Sequence, residues 1–365
     1  MAWRNRIEVS ATALRHNVAA VRRAAGGRHL IAVVKANAYG LGLERCARIY
    51  ADGGATALAC VNIGEGERIR RVLSTVRVIL MGSPLASELA AVVAGRYEPS
   101  LSTLDEVRAF AALAKTQAPL SVHVDVDTGM GRFGARADDA EAMVRAVCSS
   151  GSLRLAGISM HYAQGRNAAP SADQEHALHA LLDRIAALPT DCLLHWHNSE
   201  GLLSRPVGRS NAVRVGLLLT GVVPADCTDP GVQPTVQWLS ALAIVKHLPK
   251  GHGISYDSQH VLARDSSIGI IPVGYADGYP IALSNRGSVL IQGRRCPILG
   301  RVTMDYTVVD LTDLPRPVVA GEPVVLIGTQ GAEQITIANM ASLAGTIPYD
   351  VLCGFRGRCE VVEVA

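Results

Sequence analysis

Short apolar runs recur along the first two thirds of the chain, at 29–34, 57–61, 76–81, 97–101, 120–126, 155–161, 192–196 and 212–217. Between most of them lie Ala/Leu/Arg-rich stretches with apolar residues at helical spacing, such as 105–115, 137–148 and 172–187. Runs that are apolar on both faces suit strands covered by helices, not strands with one wet face. Eight strand–helix units in succession predict a parallel sheet closed into a (β/α)8 TIM barrel. Only a weak helical pattern follows the eighth run.

After about Pro234 the pattern changes. Runs at 236–247, 266–272, 288–292, 307–311 and 323–327 read as strands separated by Gly, Pro and Asn turns, with one helix near 335–344. The expected division is a barrel over 1–233 and a smaller, mainly β domain over 234–365, roughly 130 residues. A strand near 6–9 can join either domain.

Composition narrows the class. At 365 residues the chain has room for a barrel of roughly 250 residues and a smaller partner. Hydrophobic residues make up 49% and charged residues 18%, enough apolar surface for a large core, which argues against disorder. The net charge is +3 with no Lys/Arg block, so nothing calls for nucleic acid. No apolar run approaches the ~18 residues of a membrane span. The first turns carry scattered charges and no secretory core, and the eight cysteines form no C-x-x-C pair. The expectation is a reduced, cytoplasmic protein.

Candidate chemistry gathers where the apolar runs end. Lys35 closes the first run, in Lys35-x-Asn37-x-Tyr39-Gly40. A strand-end lysine commonly pairs with an acid. At the carboxyl end of a barrel strand, partly desolvated, its amine can instead condense with a carbonyl group. Asp127-Thr128-Gly129-Met130-Gly131-Arg132-Phe133-Gly134 is a Gly-rich loop that lets backbone approach a ligand, with an arginine for an anion. His161 after the sixth run reads, taken alone, as a satisfied structural histidine. Asn198-Ser199 and Arg214-Val215-Gly216-Leu217 end the seventh and eighth runs, where barrels bind phosphate. His195 and His197 share one strand face, but no third and fourth ligand stand at convincing spacing, so no metal is predicted.

These motifs, in order from about Ala32 to Cys353, resemble those of the alanine racemase family, the fold-type III pyridoxal phosphate enzymes. The resemblance implies that Lys35 carries pyridoxal phosphate and that Tyr39 binds its phosphate. Ser199, with backbone around Asn198, Gly216 and Leu217, completes the phosphate cradle. Arg132 reaches the phenolic oxygen and the substrate carboxylate, His161 stacks beside the ring, and Arg214 donates to the ring nitrogen. In Gly253-Ile254-Ser255-Tyr256-Asp257, Tyr256 matches the second base, which works in the partner subunit. Tyr275 lines the access path, Met304 lies by the substrate carboxylate, and Tyr349 lines the inner gate and touches the phosphate. Two positions depart from the pattern. Asp125 stands where many members have a carbamylated lysine that holds the arginine; it either supplies that charge itself or is only a strand-end acid. Thr220-Gly221 replaces the usual Tyr-Gly.

Racemisation removes a proton from one face of Cα and returns one to the other, which calls for two bases. The implied pair is Lys35 and the partner's Tyr256. A phenol ordinarily titrates near ~10, so cationic neighbours must favour its anion, and a Tyr256–His161–Arg214 chain offers that. Tyrosine walls exclude side chains much larger than methyl, which points to alanine and a homodimer with shared sites. The alternatives are a serine or broad-specificity racemase and a non-catalytic pyridoxal phosphate carrier. The carriers lack the β domain with Tyr256, and Tyr349 argues against serine.

Overall fold

The computed structural model describes residues 4–114, 118–185 and 187–365. It divides into two compact units. One comprises Leu14–Ala38 and Gly42–Val232, the other Met1–Ala13, Tyr39–Leu41 and Gln233–Ala365.

The larger unit is a closed barrel of eight parallel strands: β2 (His29–Val33), β3 (Ala57–Cys60), β4 (Arg77–Leu80), β5 (Glu98–Leu101), β6 (Leu120–Asp125), β7 (Leu153–Ser159), β8 (Leu193–His197) and β9 (Ala212–Val215). β9 closes on β2 with Ile31 opposite Arg214. The strands are buried on both faces, which is why the sequence shows apolar runs instead of alternation. The connecting helices include Leu104–Leu113 and Ala168–Arg184. The stretches read as helical extended to Lys115 and through Ala186, and those two residues lie outside the described set. Thr103 starts its helix with a capping box, its hydroxyl accepting from Glu106 N while the Glu106 carboxylate accepts from Thr103 N. After β9 there is only a 3-10 turn, Leu217–Thr220, which accounts for the weak helical pattern there.

The smaller unit holds β1 (Asn5–Ser10) in its main sheet. β1 runs antiparallel to β10 (Val236–Ala241) and parallel to the last strand, Glu360–Val364. The Trp238 indole N–H donates to Asn5 Oδ1 at 2.8 Å, and its ring meets Tyr279 and Phe355 edge-on. The run read as one strand over 236–247 is two. β10 ends at Ala241, and β11 (Ile244–Leu248) belongs to a separate three-stranded sheet. The break at Leu242–Ala243 carries no turn-forming residue; Leu242 N bonds Glu322 O and Ala243 N bonds Ile270 O, so the two halves are claimed by different sheets.

Candidate active site

Lys35 lies just past β2, after Val34, whose N donates to Ala59 O at 2.8 Å. The backbone then turns left-handed at four residues in a row: Ala36, Asn37, Ala38 and Tyr39 have φ of 53°, 56°, 53° and 56°. None is glycine, and each such residue costs roughly 1–2 kcal/mol relative to a right-handed helix. Surrounding groups hold the turn. Glu65 accepts from Ala36 N at 2.7 Å and Val61 N at 3.1 Å. Asn37 Oδ1 accepts from Leu43 N at 3.1 Å and from the Arg68 guanidinium at 2.8 Å. Arg68 is clamped in turn by both Glu44 oxygens at 2.7 Å, and that hydrogen bonding holds the Glu44 carboxyl down at about 2. The half-buried lysine therefore stands on a rigid base.

The loop after β6 is shaped by Asp127, whose Oδ1 accepts from the backbone N–H groups of Gly129, Met130 and Gly131. Gly134, at φ 104°, has no room for a side chain, because a Cβ would lie 2.5 Å from Asp127 N. Arg132 projects from this loop and is exposed. Gln174 ties the loop to the one after β7, donating to Thr128 Oγ1 and His161 O. Asp125 accepts from the Ser159 hydroxyl at 2.7 Å. Burial pushes its carboxyl up, against the opposing pull of Arg214 and Arg132. Arg132 thus reaches Asp125 through its field, and no ion pair joins the two.

Arg214 organises the opposite side. Its guanidinium reaches His161 Nδ1 at 3.1 Å and Met160 O at 3.0 Å through one nitrogen, and His195 Nδ1 and His195 O, both at 2.9 Å, through another. An arginine only donates, so both imidazole Nδ1 atoms must be acceptors and both rings carry their proton on Nε2. Burial, then the positive charges of Arg214, Arg132 and Lys35, hold His161 down at about 3, so it is neutral. Three cations acting on one ring put Lys35, Arg132, His161 and Arg214 in a single neighbourhood at the carboxyl ends of the strands. Nearby, Asn198 caps the helix Ser199–Ser204, and Leu218 N faces the buried Ser199 hydroxyl at 3.4 Å, so the loops after β8 and β9 converge beside Gly216 and Leu217. His195 and His197 do not act together: His197 Nε2 lies 2.9 Å from Pro206 O.

The smaller unit carries the remaining candidates. The Tyr39 and Tyr349 rings lie 5.8 Å apart, and Gly40 beside them is required because a Cβ would sit 2.4 Å from Leu352 O. Tyr256 is 66% exposed and Met304 52%. Tyr256 rides on a strained segment: Ser255, Asp257 and Ser258 all have positive φ, and the Ser255 hydroxyl donates to Arg301 O at 2.7 Å. Tyr275 and Met304 come together where two segments cross, with Tyr275 N and Ala276 N donating to Thr303 O and Met304 O at 3.0 Å.

Sequence reasoning missed two polar residues linked to this site, Glu98 and His123, both buried inside the barrel. The available signal was a lone acid and a lone histidine at strand positions that otherwise read as apolar.

A closed parallel barrel with its polar side chains gathered at the strands' carboxyl ends defines an enzyme of the (β/α)8 class. The description "Alanine racemase, N-terminal domain" matches residues 9–224, and "Alanine racemase, C-terminal domain" matches residues 235–363. An alanine racemase of Symbiobacterium thermophilum is 36% identical over 361 residues, covering 96% of this chain and 94% of that protein. The alanine racemase structure from Streptomyces coelicolor A3(2) superposes with a TM-score of 0.93 at 32% identity, covering 99% and 98% of the two chains. A Bartonella henselae alanine racemase solved with covalently bound pyridoxal phosphate gives 0.90 at 26% identity, covering 99% of each chain. The chain belongs to the alanine racemase family, and its enzyme class is that of the amino-acid racemases.

Proposed function

We propose that this chain interconverts L-alanine and D-alanine, with pyridoxal phosphate carried by Lys35 and the barrel over 1–233 as the cofactor-binding part. The observation that carries the reading is the His161 ring held by Arg214 at 3.1 Å, with the charges of Lys35 and Arg132 acting on the same ring. The donor set suits the cofactor. It offers an amine on a rigid turn, a guanidinium that can only donate toward a ring nitrogen, and the Ser199 hydroxyl with backbone N–H groups at Gly216 and Leu217 for a phosphate. Tyr39 and the Tyr349 ring beside it are assigned, on the family resemblance, to the phosphate and to a wall of the substrate pocket. When bound, pyridoxal phosphate withdraws electrons from Cα and so acidifies its proton.

The residues then divide the work. Arg132 and Met304 bind the substrate carboxylate, and Tyr275 narrows the access path. Asp125 supports Arg132 through its charge. The Lys35 amine takes or returns the proton on the D face. The phenol of Tyr256, from a partner subunit, serves the L face. The Nε2–H that Arg214 imposes on His161 is the donor a Tyr256 phenolate needs, so the cation's influence passes through a neutral ring. Assigning Tyr256 to a partner's site implies a homodimer with shared sites, and its exposure leaves the phenol accessible for that. All eight cysteines are unpaired and no described helix is long and apolar enough to cross a membrane, in keeping with work in the cytoplasm.

The test is to incubate the purified protein with pyridoxal phosphate and single L-amino acids and to follow loss of optical activity. Racemisation of alanine well ahead of serine is expected. No racemisation of any substrate overturns the proposal, and a preference for serine favours the broader racemase. An active monomer, by mass at assay concentration, overturns the shared site.

A further inference from the structure

A chain of hydrogen bonds runs from Arg214 through the barrel core to its opposite side. His195 Nε2 lies 2.9 Å from His123 Nδ1, and His123 Nε2 lies 3.0 Å from Glu98 Oε2. Both oxygens of Glu98 also accept from Arg77 at 2.8 Å. His123 and His195 are 0% and 1% exposed, Glu98 6%. Gly157 makes room for the pair, since a Cβ there would lie 2.2 Å from His123 Nδ1. The β6–β7 and β8–β9 pairings each shift register at these histidines, as local irregularities do where a strand re-aims a side chain.

The two ends fix the direction of every proton. Arg214 can only donate, so His195 Nδ1 accepts and its Nε2 holds the hydrogen. That hydrogen points at His123 Nδ1, which must accept, leaving the His123 proton on Nε2 and aimed at Glu98. Burial pushes the Glu98 carboxyl up, but the bonds from Arg77 and His123 outweigh it and hold it down at about 2, so this end can only accept. Burial likewise lowers both histidines, which stay neutral. A donor-only cation and an acceptor-only anion leave one consistent arrangement.

We propose that Glu98 is a positioning residue for Arg214: by accepting from His123 Nε2–H it anchors the far end of the histidine chain whose tautomers Arg214 sets, and so locks the guanidinium in one orientation at the barrel's carboxyl end. The proposal gains its catalytic meaning from the role given to Arg214 above. Its tautomer test does not depend on that role, so the two can fail separately. No bond forms or breaks along the chain, and its effect is alignment and a compensating charge across the core.

The test uses the full-length protein labelled with 15N-histidine, with and without pyridoxal phosphate, and long-range 1H–15N correlations of the ring nitrogens. Both His123 and His195 are expected as neutral Nε2–H tautomers in either state. An Nδ1–H tautomer or an imidazolium at His195 overturns the proposal without any variant. Glu98→Gln then offers one amide oxygen where the native carboxylate serves Arg77 and His123 together. His123 is expected to exchange between tautomers, because a glutamine amide can donate as well as accept, and kcat for alanine to fall by roughly tenfold or more with KM little changed, as misorientation of a binding group predicts. Arg77→Gln keeps the carboxylate and is expected to keep both tautomers while lowering thermal stability. If Glu98→Gln matches wild type in tautomers and kcat, or if Arg77→Gln scrambles the tautomers equally, the ion pair is only a strut and the proposal fails.

Discussion

Gly157→Ala isolates the buried histidine pair, because the added methyl group meets little else that can yield. Gly157 sits in β7 without a positive φ, so alanine brings no backbone strain. The new Cβ would lie 2.2 Å from His123 Nδ1 and 2.8 Å from Leu193 O, against an ordinary contact of 3.4–4 Å. Leu193 O belongs to the neighbouring strand and is held in the ladder, so the imidazole must retreat by about 1 Å or more in a close-packed interior. Its bonds to His195 and Glu98 start at 2.9 and 3.0 Å, and a lengthening of about 1 Å abolishes both. His195 Nε2–H is then left without an acceptor, and Glu98 keeps only Arg77. Two or three unsatisfied buried groups cost about 3–5 kcal/mol. Urea unfolding of the barrel can be followed through Trp196, fully buried on β8, in a Trp238→Phe background that silences the other unit's buried indole. The midpoint should fall sharply with little change in slope. A loss below about 1 kcal/mol would show that the ring relaxes freely and that the pair is not tightly constrained.

Tyr256→Phe removes the phenol of the L-face base. Racemisation of L-alanine should fall by about 10²–10⁴-fold while pyridoxal phosphate stays bound, read by polarimetry and by absorbance of the bound cofactor. Undiminished racemisation refutes the role. Asp125→Asn keeps an acceptor for Ser159 but removes the charge felt by Arg132, so KM for alanine should rise several-fold in steady-state kinetics with a smaller change in kcat; an unchanged KM makes Asp125 a plain strand-end acid. Acid should destabilise the barrel. Burial holds His197 at about 4 and His161 at about 3, against roughly 6.5 in an unfolded chain. Their folded values are depressed, so the unfolded state binds more protons below neutrality. Their contribution is complete above about 6.5 and is lost as pH falls toward 4 and then 3. The urea midpoint should therefore drop between pH 7 and 4, and a flat profile contradicts buried neutral histidines.

The barrel was legible because burial on both faces leaves a continuous apolar run at each strand, and all eight runs lie within a residue or two of observed strands. The smaller unit was harder. The edge strand Arg294–Pro297 is polar and ends in proline, and Glu360–Val364 sets two glutamates among three valines without regular alternation, so neither shows a clean strand pattern. The motif around Lys35 could be read, but its left-handed turn could not, because no glycine announces it between Ala36 and Tyr39. Long-range partners supply that geometry. The same holds for Glu98 and His123, since a polar residue inside an apolar run reveals nothing of the partner it meets across a barrel.

The place of β1 in the smaller unit's sheet, between β10 and the final strand, sets an order for biosynthesis. β1 precedes the barrel's strands in the chain and both of its sheet neighbours follow them, so β1 waits roughly tens of seconds for a partner while the barrel's strands emerge. Without Glu360–Val364 one edge of β1 stands unpaired and open to another copy, so a variant lacking that strand should show aggregation before it shows lost activity.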